Sequence, residues 1–341
     1  MHKKENCRKI LVVKPSSLGD VVHSLPFLNA VNTCFPKAEI HWVIAKGLEG
    51  LLEGHPMIDK LIIINKDLWK NLSRTGKTLK EIRELFRQLR NEKYDLVVDL
   101  QGLLRSGLIT RATNAPIRIG FLEAREGSRL FYTRKVKGGR DIHAVDRYMR
   151  VAEELGCAAD DRIFPFALSD SAGAETGTLA APGPYAVLVP GARWKTKVWP
   201  AESFGKVASM LPLESVVIGA ASDRTIADEV VLHSDGKARS LAGGTSIREL
   251  IKIMQAAKIV ITNDSGPMHI AAALNIPVIA IFGPTSPART GPYGKGHVIL
   301  QSQAECVPCF KRACRDMRCM KEITPEVVYQ EVLGVLRREM R

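Results

Sequence analysis

No run of about 18 apolar residues occurs in this chain of 341 residues, so nothing in it is expected to span a membrane. The first residues, MHKKENCRKILVVKPSS, place only four apolar residues in a row before Lys14. That is too short for the apolar region of a secretion signal, and a cytosolic protein is expected. No G-x-G-x-x-G follows a strand-like run, which leaves a dinucleotide dehydrogenase without support. RTGKT at 74–78 ends like a phosphate-binding P-loop, but Asn71 stands where its first glycine is required. No D-x-D or other paired-carboxylate motif appears. A sugar or phosphoryl transfer enzyme built this way is expected to be metal-independent, meeting its diphosphate with helix dipoles and Lys/Arg.

Acidic residues are in short supply: 36 Asp and Glu face 49 Lys and Arg, a formal net charge of +13. The imbalance is concentrated in residues 101–150, where eleven basic residues meet four acidic ones. Such an excess points to an anionic partner. Aromatics make up only 6% of the chain, and no aromatic-rich basic patch accompanies the charge. A ligand bearing phosphate or carboxylate therefore fits, and no nucleic acid is expected.

What is present is alternation. Strand-like runs at 10–13, 40–45, 61–64, 95–100 and 118–121 are separated by helical spacing, including Leu79, Ile82, Leu85, Phe86 and Leu89. LSDSAGAETGTLAAPGP (168–184) is small, polar and rich in Gly and Pro, and reads as a linker. Alternation then resumes with strands at 185–191, 215–220, 259–264 and 278–284 and helices at 202–211, 224–233, 246–257, 266–274 and 325–340. The pattern predicts an α/β protein of two Rossmann-like doubly wound domains facing across a cleft, with ligands beyond the carboxyl ends of the strands. The expected boundaries are 1–170, a linker at 171–183, 184–323, and a last helix at 324–341 that packs back on the first domain.

Candidate sites follow from that placement. In ILVVKPSSLGDVVHSLP, Asp20 falls where a helix begins after the first strand. It is either a cap or the base of the reaction, and a helix start favours its ionised form in both roles. In NDSGPMHIAAALNIPVIAIFGPTSP, Asp264, Ser265 and Gly266 form a turn into a helix whose start suits a diphosphate. His269 lies one turn further in, either toward the same ligand or toward solvent. The next strand ends in a second compact loop, Gly283-Pro284-Thr285. VPGARWKTKVWP (189–200) supplies Arg193, Lys195 and Lys197, a cationic cluster able to neutralise a leaving diphosphate. DLQGLLRSG (99–107) offers Gln101 and Arg105 to an acceptor. Arg125, Arg129, Arg134, His143 and Arg147 extend an anion-reading face.

Of seven cysteines, Cys7, Cys34 and Cys157 are scattered and read as inert. Cys306, Cys309, Cys314 and Cys319 crowd into fourteen residues, as a zinc or cluster site, reduced thiols or a tail staple.

Taken together, KPSSLGDVVHSLP, DLQGLLRS, GFLEAREGSRLFYTRK, KVWP, NDSGPMHIAAALNIPVIAIFGPTSP and CVPCFKRAC resemble the lipopolysaccharide heptosyltransferases, glycosyltransferase family 9, over essentially the whole chain. The resemblance implies a GT-B fold and an inverting transfer of heptose from ADP-heptose. The C-terminal domain would hold that donor and the N-terminal domain a Kdo-lipid A acceptor. It implies Asp20 as base, Lys197 facing the donor diphosphate, and Asp264, Ser265, Gly266 and His269 as the donor loop. Arg193 and Asp223 fall at donor-contacting positions but differ in type from some members. SSLGD and GFLEAREGSRLFYTRK resemble the members that add the first heptose, and the cysteine tail those that add the second. The lipid acceptor implies work at the inner face of the membrane, for which the basic 78–93 segment and Trp69 are candidate contacts. A non-catalytic binder of nucleotide-sugar or nucleic acid is the reading from another class.

Overall fold

The computed structural model describes residues 7–65, 75–139, 141–167 and 183–339. Trp69 and residues 168–182, most of the expected linker, lie outside the described residues. The chain divides into two compact units, Met1–Ala167 and Leu168–Arg341.

In the first unit, β1 (Lys9–Val13), β2 (Glu39–Ala45), β3 (Lys60–Ile64), β4 (Leu96–Asp99), β5 (Ile117–Phe121) and β6 (Arg134–Val136) form a parallel sheet. Its order is β3-β2-β1-β4-β5-β6, the doubly wound arrangement. The helices are α1 (Leu18–His23), α2 (Leu25–Cys34), α3 (Thr75–Asn91), α4 (Leu104–Ala112) and α5 (Ala144–Glu154). β1 is apolar on both faces from Ile10 to Val13 because helices cover both sides, as parallel sheets require.

α3 turns Leu85, Phe86 and Leu89 onto Val97, Ile109 and Tyr94. Its apolar stripe is thus committed to this core. Leu79 remains half exposed. A correction concerns two of the cysteines read as inert. Cys34 at the end of α2 is disulfide-bonded to Cys157 after α5, across 123 residues.

Just beyond α3, Glu92 receives Lys60 Nζ at 2.6 Å and Lys9 Nζ at 3.0 Å, tying the helix end to β3 and β1. The Lys60 ammonium, helped by Lys9 and opposed by burial, holds the Glu92 carboxyl down at about 2. A depressed carboxyl stabilises the fold above its ordinary range and loses that contribution as pH falls through its folded value. Glu92→Gln is therefore expected to cost about 1–3 kcal/mol at neutral pH. Thermal melts from pH 7 down to pH 2 should show the penalty shrinking as the wild-type carboxyl takes up its proton. A penalty independent of pH would contradict the assignment.

The second unit repeats the plan. β7 (Tyr185–Val189), β8 (Glu214–Val217), β9 (Ala238–Ser240), β10 (Ile259–Asn263), β11 (Val278–Phe282) and β12 (Val298–Gln301) run in the order β12-β11-β10-β7-β8-β9. Counted from the first strand of the unit, this is the same order as in the first sheet. α6 (Ala201–Met210), α7 (Arg224–Leu232), α8 (Ile247–Gln255), α9 (Gly266–Ala273), α10 (Pro287–Thr290), α11 (Arg318–Lys321) and α12 (Pro325–Glu339) complete it. α12 contributes Val328, Val332 and Val335 to the same core as Trp199 and Phe204. The last helix is thus part of the second unit's core. Among the described residues no helix is long and apolar enough to cross a membrane.

Candidate active site

In each sheet the strand order reverses once, between β1 and β4 and between β7 and β10. Chains leave such a pair of strands toward opposite faces, opening a crevice at the carboxyl ends where ligands bind. Asp20 and Gln101 follow the strands of the first point, and Lys197 and Asp264 those of the second.

In the first unit Val13 and Asp99 are paired in register, so the loops that follow them start side by side. Asp99 is fully buried and organises its own loop. Its Oδ1 accepts the backbone N–H groups of Gln101 (2.8 Å) and Gly102 (2.9 Å), and its Oδ2 accepts the Tyr132 hydroxyl (2.7 Å). Burial raises the Asp99 pKa, and these donors only partly offset it. Gly102 takes φ +67°, which a side chain would strain, and so permits the turn. The Gln101 side chain then accepts the Ser16 N–H at 3.3 Å, joining the two loops.

Asp20 is the third residue of α1. Its Oδ2 accepts the N–H (2.9 Å) and the hydroxyl (2.7 Å) of Ser17, so the cap predicted at this helix start is present. Its Oδ1 is engaged differently. The Tyr148 hydroxyl donates to it at 3.4 Å and Lys14 Nζ lies 3.8 Å away, while the side chain keeps 39% exposure. One oxygen thus fixes the carboxylate and the other faces a buried lysine. Burial lowers the pKa of Lys14, but Asp20, Tyr148 and Asp99 more than compensate and raise it overall. Lys14 also lies over the Tyr148 ring, 5.0 Å from its centroid. Sequence reasoning passed over Lys14, Asp99 and Tyr148. The signal for the first was a lysine directly after an apolar strand and six residues before Asp20.

Arg105, Arg125 and Arg129 are exposed. The Arg125 N–H bonds the Gly102 carbonyl at 2.9 Å, so its loop adjoins the Asp99 turn. Around them Leu104, Leu122 and Leu130 are exposed by 42%, 46% and 79%. His143 caps α5, its Nδ1 accepting the Val145 N–H at 3.2 Å, and its ring meets His23 edge-on. Arg147 lies over the Phe121 ring.

In the second unit Asn263, at the end of β10, fixes the loop after β7. Its side chain donates to the Pro190 carbonyl (2.7 Å) and accepts the Trp199 N–H (3.1 Å). The Trp199 indole is fully buried and donates to the Ile323 carbonyl at 2.8 Å, anchoring the other end of that loop. Between these anchors Lys197 reaches Asp264, Nζ to Oδ2 at 2.6 Å. The Thr285 hydroxyl donates to the same oxygen at 2.6 Å. The two loops that the sequence places after adjacent strands thus meet on one carboxylate. Lys197 keeps 16% exposure and Asp264 6%, so this ion pair is largely shielded from water.

Ser265 is the N-cap of α9, and Gly266 and Pro267 open the helix. α9 is apolar all round and buried from Met268 to Ala273, His269 included. The solvent-facing alternative for His269 is therefore excluded. Arg193 and Lys195 are exposed on the Lys197 loop. Two cations lie over the Trp194 ring, Lys197 at 4.7 Å and Arg312 at 4.9 Å from its centroid. Asp223 precedes α7 and accepts the Ala220 N–H at 2.9 Å. It packs so closely on Gly191 that a Cβ there would fall 2.6 Å from its carboxyl carbon.

Residues 82–319 match the model of glycosyltransferase family 9 (heptosyltransferase). The chain is 33% identical over 322 residues to lipopolysaccharide heptosyltransferase 1 of Pseudomonas aeruginosa, covering 90% of this chain and 87% of that protein. Its fold superposes on the structure of E. coli ADP-heptose lipopolysaccharide heptosyltransferase II with a TM-score of 0.80 and 25% identity, covering 98% of this chain and all of that one. It also superposes on E. coli heptosyltransferase WaaC with ADP-2-deoxy-2-fluoro heptose, at a TM-score of 0.79 and 25% identity over 96% and 99% of the two chains.

Proposed function

The chain belongs to glycosyltransferase family 9, the heptosyltransferases, and we propose that it moves heptose from ADP-heptose to the Kdo region of lipid A. The observation that carries this reading is the content of the two sheet switch points. One holds a fixed, half-open carboxylate, Asp20, and the other a lysine on a buried carboxylate beside a helix start.

In this reading Asp20 takes the proton of an acceptor hydroxyl as that oxygen attacks the anomeric carbon. The bond from that carbon to the diphosphate breaks, and ADP leaves with the electron pair. Lys197 and the start of α9 meet the charge that develops on the leaving oxygen. Asp264 and Thr285 act as positioning residues, since they hold the Lys197 ammonium in place. With Arg193 and Lys195 beside it, the site carries cations enough to work without magnesium. Rates with and without added Mg²⁺ are expected to be equal.

Arg105, Arg125 and Arg129, set among the exposed Leu104, Leu122 and Leu130, suit an acceptor that joins anionic groups to lipid. This surface supports peripheral work at the cytoplasmic face of the inner membrane. His143 is held by its cap, and its part toward the acceptor is to place the start of α5. The test offers ADP-heptose with Kdo₂-lipid A and, separately, with its mono-heptosylated form. Consumption of the first acceptor is expected. Consumption of the second alone would reassign the chain to the next step.

Gly191→Ala tests the place of Asp223 in the donor site. The added methyl forces Asp223 to shift, at a cost of about 1–3 kcal/mol in stability. The KM for ADP-heptose should rise with little change in kcat. An unchanged KM together with a lowered melting temperature would remove Asp223 from the donor site.

A further inference from the structure

Lys14 is the first residue after β1, and the transfer proposed above makes no use of it. A lysine at the end of a buried strand ordinarily carries its ammonium out to water. Here the residue is 2% exposed. Its backbone is fixed, since the Lys14 carbonyl accepts the indole N–H of the fully buried Trp42 at 3.2 Å. Its Nζ donates to the Leu100 carbonyl at 3.4 Å, lies 5.0 Å from the centroid of the Tyr148 ring and stands 3.8 Å from Asp20 Oδ1.

Burying an ammonium is costly, and an ion pair repays that cost poorly where apolar side chains could fill the same space. Asp20 keeps 39% exposure, so water solvates this carboxylate whether or not the lysine is there. Asp99, the buried carboxylate of the next loop, already takes two backbone N–H groups and the Tyr132 hydroxyl. Neither acid needs the ammonium in order to fold. The lysine depends on Asp20 more than Asp20 depends on the lysine, and a stabilising role does not account for the pair.

We propose that Lys14 is a positioning residue for Asp20: from inside the core it keeps the carboxylate ionised and its Oδ1 in place, without touching either substrate. Ser17 holds Oδ2, while Lys14 and the Tyr148 hydroxyl face Oδ1, so both ends of the carboxylate are fixed. A cation at this distance also favours the charged form of the acid. That suits the step. As the acceptor oxygen bonds to the anomeric carbon it becomes strongly acidic, so a weak base suffices provided that it carries its charge. The acceptor O–H bond breaks toward Asp20, and the proton then passes to water, which restores the carboxylate beside the ammonium.

This role rests on Asp20 being the base. The charged and titratable groups around it are Lys14 after β1, Tyr148 and Arg147 on α5, Asp99 at the end of β4, and the His23–His143 pair between α1 and α5. A change at Lys14 alone leaves the others in common.

The kcat is measured at saturating ADP-heptose and Kdo₂-lipid A from pH 9 downward, for the unaltered chain and for Lys14→Met, which keeps the stem and removes the charge. The acid limb of Lys14→Met is expected to lie about one pH unit or more above that of the unaltered chain, with the lost activity regained toward alkaline pH. Ionisation of the substrates is common to both chains and cancels. A merely structural lysine would lower kcat by the same factor at every pH. That result, or an unmoved limb, would overturn the proposal. Should Lys14→Met not fold, Lys14→Gln, whose amide can still donate to the Leu100 carbonyl, is read in the same way. Failure of both to fold would make Lys14 a residue of the fold and overturn the proposal too. Asp20→Asn, measured alongside, keeps the two readings apart. Full activity there removes the base itself, whereas an inactive Asp20→Asn with an unmoved Lys14→Met limb removes only the role of the lysine.

Discussion

Asp20→Asn is expected to lower kcat by about 10²–10⁴, the usual worth of a positioned general base. The KM for ADP-heptose should stay unchanged, because the residues proposed to hold the donor are Lys197, Asp264 and their neighbours in the second unit. The substitution is nearly isosteric, and an asparagine oxygen still accepts the Ser17 N–H that Asp20 Oδ2 now takes at 2.9 Å. The cap is therefore kept while the base is removed. This separates the two roles that the sequence leaves superimposed at this position. A kcat reduced at least a hundredfold is the expected result, with a lowered melting temperature because the change also takes from the buried Lys14 the carboxylate 3.8 Å away. Full activity in Asp20→Asn would end its assignment as the base.

Lys197→Ala carries the second large effect, and it has two parts. Removing the ammonium leaves Asp264, 6% exposed, with the Thr285 hydroxyl but without its counter-charge. Breaking a shielded ion pair in this way costs about 3 kcal/mol, the low end of the range because Lys197 keeps some contact with water. The same change removes the cation proposed to meet the leaving group, expected to cost about 10²–10³ in kcat. Lys197→Ala combined with Asp264→Asn separates the parts. The neutral amide no longer needs a counter-charge, so stability should return toward wild type while kcat stays low. Recovery of kcat along with stability would make Lys197 a purely structural residue.

The central strands and the long helices were legible because their apolar runs are continuous or fall at helical spacing. β6, β9 and β12 were not. They are edge strands of three or four residues, and RKV and ARS have no apolar run to reveal them. The Cys34–Cys157 bond depends on where α2 and α5 pack, which no local spacing records. For the candidate site, types and spacing were enough to single out Asp20, Lys197 and the Asp264 turn, since each lies in the stretch that follows a buried strand. The supporting residues were harder to see. Lys14 reads as a solvated lysine until the register of β1 with β4 places it under Leu100 and beside Asp20. His269 shows a different limit. One histidine in an otherwise apolar helix is ambiguous until the whole helix is known to be buried.

The central claim is a single displacement in which Asp20 deprotonates the acceptor while the Lys197 site receives ADP. The measurement that tests it most directly is the anomeric configuration of the transferred heptose, read by NMR from product made with ADP-heptose of defined configuration and Kdo₂-lipid A. A single displacement predicts a configuration opposite to that of the donor. Retention would require a covalent or ion-paired intermediate on the donor side, and would contradict the role assigned to Asp20.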